Sequence, residues 1–222
     1  MFNNIRRKQV PPHTISQCIR CGTCCRKGGP VLHRQDIRIL REGHAGHQHL
    51  MTIRKGERTY NPLTEQTEPA FRELIKIRGR ERDWTCIFFD EEQSSCGIYE
   101  HRFLECSLLQ CWDPAMIMKV IGKQTISRFD LINAGDPVRE IIEEHELECP
   151  PSAVENLLAA LSSGPGRERT LGELASLVRK DRALRSYAID ALGLNREYEF
   201  FIFGRPLSQI LEDCGFTVRT EN

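Results

Sequence analysis

Net charge is missing from this chain. Lys+Arg and Asp+Glu balance at 31 each over 222 residues. A neutral chain lacks the electrostatic footprint that draws a protein to nucleic acid or to an anionic membrane. Short basic runs at 5–8 and 78–82 are not interleaved with aromatics, and only 7% of the residues are Phe, Trp or Tyr. A base-stacking platform is therefore not expected, nor is a nucleic-acid partner. Long apolar runs are missing too. The polar, basic start, Met1 to Val10, has no apolar stretch behind it and meets Pro11-Pro12 directly. Neither a secretory signal nor a bilayer span is expected, and the cytoplasm is the expected compartment. There is no internal repeat. No G-x-G run joins a strand to a helix, since Gly164-Pro165-Gly166 sits in a linker context.

Sulfur is abundant instead, with ten cysteines. In a reducing compartment these read as metal ligands or catalytic thiols rather than as a disulfide framework. Four fall in Cys18-Ile19-Arg20-Cys21-Gly22-Thr23-Cys24-Cys25, spaced C-x2-C-x2-C-C. Thiolates packed this closely repel one another unless a cation sits between them. Gly22 stands where a tight turn would aim sulfurs and amides at one centre. Lys27-Gly28-Gly29-Pro30 closes the loop and offers a neutralising charge. Cys86, Cys96, Cys106 and Cys111 follow downstream, whereas Cys149 and Cys214 are isolated and read as buried small hydrophobes. No standard template takes the whole set. The ferredoxin run C-x2-C-x2-C-x3-C-P would need its fourth cysteine at Gly28. A zinc ribbon needs a second C-x2-C knuckle, and the radical-enzyme spacing C-x3-C-x2-C is absent.

The spacing predicts a short helix from His33 to Glu42. His44, His47 and His49 form either a polar loop, the first turn of a helix through Leu50 and Ile53, or a second metal site. Residues 55–72 read as a loop or meander, and Glu73 to Arg78 as a strand. Trp84 to Phe89 reads as a strand that carries Cys86 towards Cys96 in a hairpin, and Ile98 to Glu105 as a helical turn with Cys106 at its end. Asp113-Pro114 and Asp136-Pro137 are helix starts. Helices follow through Ala153 to Leu161, from Thr170 (a capping box with Glu173) and through Leu184 to Leu192, with residues 162–166 as a linker. Tyr198 to Phe203 reads as a strand, Pro206 to Asp213 as a helix and 216–218 as a last strand. The fold class is α+β: a small irregular cysteine-rich core with a short hairpin at 15–113, then a mostly helical extension at 114–222 packed on it.

The CIRCGTCC stretch, Cys86-Ile87-Phe88-Phe89-Asp90, and Cys96-Gly97-Ile98-Tyr99-Glu100-His101-Arg102 with Cys106 together resemble the YkgJ-type CxxCxxCC family. That family is a zinc- or iron-chelating domain whose cysteine core is related to that of flagellin lysine N-methylases. Phe103 stands where the family commonly has Pro, while the Cys96-to-Cys106 spacing survives. The resemblance covers about residues 15–113. It implies a site made of Cys18, Cys21, Cys24, Cys25, Cys86, Cys96 and Cys106, with Cys111 close enough to join. His101 and Arg102 would orient or neutralise the thiolates, or else form surface ion pairs. Seven or eight thiols exceed one tetrahedral zinc. They suit one [4Fe–4S] cluster with spare thiols, two zincs, or a cluster beside a zinc, and dense soft ligation tips the choice slightly to iron–sulfur. The expected function is a metal-binding protein with an unidentified protein or redox partner. The alternatives are an enzyme, lysine-methylase-like or a cluster-dependent redox enzyme, and an interaction protein.

Overall fold

The computed structural model describes residues 17–80, 83–163 and 166–216. The expectations for the basic run at 5–8, Pro11-Pro12, the centre of the 162–166 linker and most of the 216–218 strand lie outside them. The described chain is α+β, with short hairpins in the cysteine-rich half and helices in the rest.

A single turn, α1 (Thr23–Arg26), opens the chain behind Gly22. A 3-10 turn at Arg34–Asp36 runs into α2 (Ile37–Arg41), which stops at Gly43. Strands β1 (Leu50–Ile53) and β4 (Leu74–Ile77) pair antiparallel, Leu50 opposite Ile77 and Ile53 opposite Leu74. Between them, β2 (Arg58–Asn61) and β3 (Gln66–Pro69) make a separate hairpin. Then β5 (Phe89–Asp90) and β6 (Ser95–Cys96) form a two-rung ladder. Short helices α3 (Leu104–Leu108) and α4 (Ala115–Met118) precede the longer α5 (Val138–Glu148), α6 (Pro151–Ser163) and α7 (Arg167–Asp190). Two brief helices, α8 (Glu199–Phe203) and α9 (Leu207–Asp213), complete the order.

Several elements differ from expectation, each for a visible reason. Leu50 to Ile53 is a strand, not a helix. All four of its residues are buried, because α8 covers it and the Thr52 hydroxyl donates to the Phe201 carbonyl at 2.5 Å. A strand hidden on both faces shows no alternation. Residues 58–69, within the stretch expected as a loop or meander, hold the exposed β2–β3 hairpin. The Trp84 to Phe89 strand shrinks to Phe89–Asp90, with Cys86 making only a single bridge to Gly79. The helices expected from Thr170 and through Leu184 are one helix, α7, with Thr170 inside its first turn and Gly166 at its N-cap. No breaker stands in Arg179-Lys180-Asp181-Arg182, so the helix continues. Tyr198 to Phe203 is helical rather than extended. The Asn195 side chain accepts the Glu197 N–H at 3.0 Å and starts the turn. Gly204 ends it against β1, where a Cβ would lie 2.7 Å from the Thr52 carbonyl oxygen.

One apolar core draws on both halves. Leu32, Leu50, Ile75, Ile77, Phe89 and Phe103 pack with Ile126, Ile142, Ala188, Phe201 and Phe203. A second cluster, including Cys149, Val154, Leu174, Val178 and Leu207, lies among the helices. Buried arginines bind these layers together. Arg54, at the end of β1, grips Glu146 of α5 with two bonds of 2.8 and 2.9 Å and donates to the Cys149 carbonyl at 2.6 Å. Arg128 bonds Glu73 and Glu146, and Arg205 bonds Glu57 and Asp213. Arg185 donates to Asp181, to Glu199 and to the carbonyls of Phe203, Gly204 and Arg205. Carbonyls at the α8–α9 bend that no helix satisfies thus find a donor.

Candidate metal centre

Gly22 sets the first loop. Its φ is 73°, the left-handed region open to glycine, and a Cβ there would meet the Phe89 ring at 2.2 Å. The turn that follows puts Cys24 and Cys25 side by side with their Sγ atoms 4.0 Å apart. Gly29 allows the loop to press on β4, since a Cβ would come within 2.5 Å of the Ile77 carbonyl oxygen. The Cys86 N–H donates to the Cys25 carbonyl at 2.8 Å and joins the early loop to the later cysteines. Gly97 donates to the Phe88 carbonyl at 2.8 Å and Phe89 to the Cys86 carbonyl at 2.9 Å, which folds Cys86 and Cys96 about one tight turn.

Cys106 is brought in by α3. The Asp36 carboxylate accepts the Leu104 N–H at 2.8 Å and fixes the helix start. Its neighbour Glu105 accepts the Val31 N–H at 2.8 Å and sits 3.2 Å from His33 Nε2. Three segments, 24–25, 86–96 and 106, are thereby held against one another by backbone and carboxylate bonds rather than by sulfur itself.

The electrostatics agree with this grouping. The contact between the two sulfurs lowers the Cys24 thiol to about 6 and raises Cys25. The Thr23 hydroxyl, 3.3 Å from Cys21 Sγ, lowers that thiol as well. Burial raises Cys86, with the Cys96 and Cys24 sulfurs adding to it. Burial also raises Cys106, reinforced by Cys86, Cys24 and Cys96. Charge on Cys24 thus reaches Cys21, Cys25, Cys86 and Cys106, and charge on Cys96 reaches Cys86 and Cys106. A bound cation would relieve this mutual repulsion, so the donor set fits a soft metal. Among the described residues no three sulfurs lie within 4.8 Å of one another, so the group is gathered but not drawn to coordination distance.

Cys18 is exposed and accepts the Arg20 N–H at 3.4 Å. Cys111 is exposed in the turn bridged by Gln110 and Asp113. Cys149 is buried as expected, but Cys214 is exposed. Neither His101 nor Arg102 makes an ion pair among the described residues. His101 stacks on His44, and the Arg102 guanidinium lies 3.9 Å from the Tyr99 ring centre, which Arg20 also covers at 4.2 Å. Tyr99 thereby ties the Cys18–Cys21 loop to the Cys96–Cys106 segment. His44, His47 and His49 do not converge: His47 stacks on Phe201, and His49 accepts the Gly46 N–H and packs on Phe88. Glu105, His33 and Asp36 were missed from sequence because their role depends on contacts about 70 positions away in the chain. A cleft of about 970 Å³ runs alongside, its walls including Arg26, Lys27, Lys76, Trp84 and Glu105. Burial lowers the Lys76 ammonium there.

A family model described as "CxxCxxCC: Putative zinc- or iron-chelating domain" matches residues 17–128. No curated protein and no solved structure matches the chain.

Proposed function

We propose, because the chain belongs to the CxxCxxCC family, that it is a metal-binding protein whose centre is held by thiolates of Cys21, Cys24, Cys25, Cys86, Cys96 and Cys106. The Cys86 N–H bond to the Cys25 carbonyl carries this reading, because it joins the two cysteine groups that the sequence keeps 61 positions apart. Cys18 and Cys111, both exposed, are the two further thiols proposed to close it. The favoured occupant is an iron–sulfur cluster, since more thiols gather here than one tetrahedral ion can use. Such a cluster supplies one-electron redox chemistry or an open iron position. The protein's own part is to hold the sulfurs, to shield Cys86 and Cys106, and to offer the adjoining cleft to a protein or redox partner.

Zinc is the second reading, favoured by one distance. A tetrahedral ion with Zn–S of about 2.3 Å sets its sulfurs about 3.8 Å apart, and Cys24 and Cys25 stand at 4.0 Å. Anaerobic purification with metal and acid-labile sulfide analysis separates the two. A cluster gives a brown protein with sulfide and broad absorption near roughly 400 nm, whereas zinc gives a colourless one without sulfide. Protein that takes up neither metal would overturn both. The lysine-methylase alternative gains nothing here: the sheets among the described residues are two-stranded and antiparallel, with no βαβ cradle for a methyl donor. Heat on titrating S-adenosylmethionine into metal-replete protein would revive it. The cytoplasmic setting is part of the proposal; among the described residues, no helix is long and apolar enough to cross a membrane.

A further inference from the structure

Outside the sulfur group, two imidazoles meet face to face. His44 and His101 stack with centroids 3.4 Å apart and planes 13° from parallel. His44 leaves the turn after α2, where its N–H donates to the Ile39 carbonyl at 3.1 Å. His101 closes the 3-10 turn Tyr99–His101, its N–H donating to the Ile98 carbonyl at 2.9 Å. Glu42 brings Oε2 to 3.6 Å from His44 Nε2. One ligand atom from each residue lies within 4.8 Å of the other two, and no other such group of three occurs among the described residues. The His101 ring nitrogens have no hydrogen-bond partner among those residues, and Glu42 and His101 are exposed.

We propose that Glu42, His44 and His101 form a separate, open site for a divalent transition-metal ion of borderline softness, such as Zn2+ or Fe2+. Two imidazoles and one carboxylate are a donor set suited to either ion, and they leave coordination positions for water. With metal–nitrogen bonds of about 2.0–2.1 Å, a tetrahedral ion holds its ligand atoms about 3.4 Å apart. Closing from the present spacing requires the stacked rings to turn, since parallel imidazoles aim their in-plane lone pairs side by side rather than at one ion. The donors are nitrogen and oxygen, so the site is chemically distinct from the thiols and does not depend on what those hold. The turn bearing His101 nonetheless lies between Cys96 and Cys106 in sequence, which sets a labile, water-exchanging site next to a sulfur-rich one.

Cobalt(II) tests this, because its spectrum reports its ligands. The full chain, with whatever metal its thiols retain, is titrated with Co2+ and followed by visible absorption and calorimetry. One further equivalent is expected, with weak ligand-field bands and no sulfur-to-cobalt charge transfer, and Zn2+ should displace it. His44→Ala or His101→Ala should weaken that equivalent by at least about tenfold, since outer-shell changes alone cost 10–100-fold. Glu42→Gln should weaken it less, and metal content at the thiols should be unchanged in all three. Any of three results would overturn the site: no further equivalent, a further equivalent showing thiolate charge transfer, or undiminished binding in the His44→Ala/His101→Ala double variant with an unchanged circular dichroism spectrum.

Discussion

At the scale of single residues, two glycines with similar backbone angles should respond differently to the same change. Gly22 and Gly43 have φ of 73° and 79°. A side chain at either faces the left-handed penalty of about 1–2 kcal/mol. A Cβ at Gly43 meets open space, whereas at Gly22 it strikes the buried Phe89 ring. Gly22→Ala is therefore expected to lower the urea midpoint more than Gly43→Ala and, unlike it, to reduce bound metal. Equal effects would mean that the loop does not need the close approach of Phe89. This glycine was legible in the sequence, as were the cysteines, because turn chemistry and ligand spacing are local. The partners of Cys106 were not. Asp36 and Glu105 look like ordinary surface carboxylates until α2 and α3 are seen side by side. The same limit hid the pairing of His44 with His101, while the histidines grouped in sequence, His47 and His49, are occupied by Phe201 and Phe88.

Between elements, buried charge pairs do the fastening, and their strength should follow burial. Arg128 is 1% exposed and serves both Glu73 and Glu146. Arg128→Ala takes the guanidinium from Glu73, which keeps only the residue-128 N–H, and leaves Glu146 to Arg54 alone; it is expected to cost about 3 kcal/mol. Arg58→Ala breaks the half-exposed pair with Glu155 and an exposed bond to the Thr67 carbonyl, and less than about 1 kcal/mol is expected. Chemical denaturation of both variants compares them directly. The α5–α7 contact adds a dependence on pH. His145 Nε2 lies 2.6 Å from Asp181 Oδ1, its Nδ1 has no partner, and Asp181 also accepts from Arg185 and from the Leu207 N–H. Burial lowers the affinity of His145 for a proton, so the ring is a neutral donor. Burial opposes ionisation of Asp181, yet the His145 bond and the Arg185 charge keep it lowered. Both groups bind protons more readily in the unfolded chain. Their contribution is present above the unfolded pKa, about 6.5 for His and 3.9 for Asp, and is lost as pH falls. His33 works the other way. Its bond to Glu105 raises it, so its contribution is present below about 6.5 and lost as pH rises through the folded value. His145→Gln should flatten the decline of the urea midpoint between pH 7 and 5, and His33→Gln should steepen it. The helices themselves were readable from their apolar faces. The joining of two expected helices into α7 was not, because a buried Asp181 and Arg185 look like surface residues until their partners are known.

For the whole molecule, the shared core decides how metal loss is felt. Phe89, Cys86 and Phe103 beside the sulfur group belong to the same cluster as Ile142 and Phe203 of the helical part. Stripping the metal with a chelator should therefore lower one cooperative melting transition of the entire chain, as expected when a ligand binds only the folded form. Two separated transitions in calorimetry, only one of them moved by the chelator, would show instead that 15–113 and 114–222 melt independently. The α+β class was evident from the order of turn-rich and apolar-striped stretches. How β1 lies beneath α8 was not, since no local pattern records a contact across some 150 positions.

The arginine clasps also set a timetable for folding. Arg185 reaches Phe203, Gly204 and Arg205 across a short span, so that corner can close soon after the helices appear. Thr52 with Phe201 and Glu57 with Arg205 must gather chain ends far apart, and contacts of that reach are slow to find. On a ribosome neither can form until residues 201–205 have emerged. The early cysteine loop therefore waits, largely uncovered, until the final helices arrive to seat the sheet beside it.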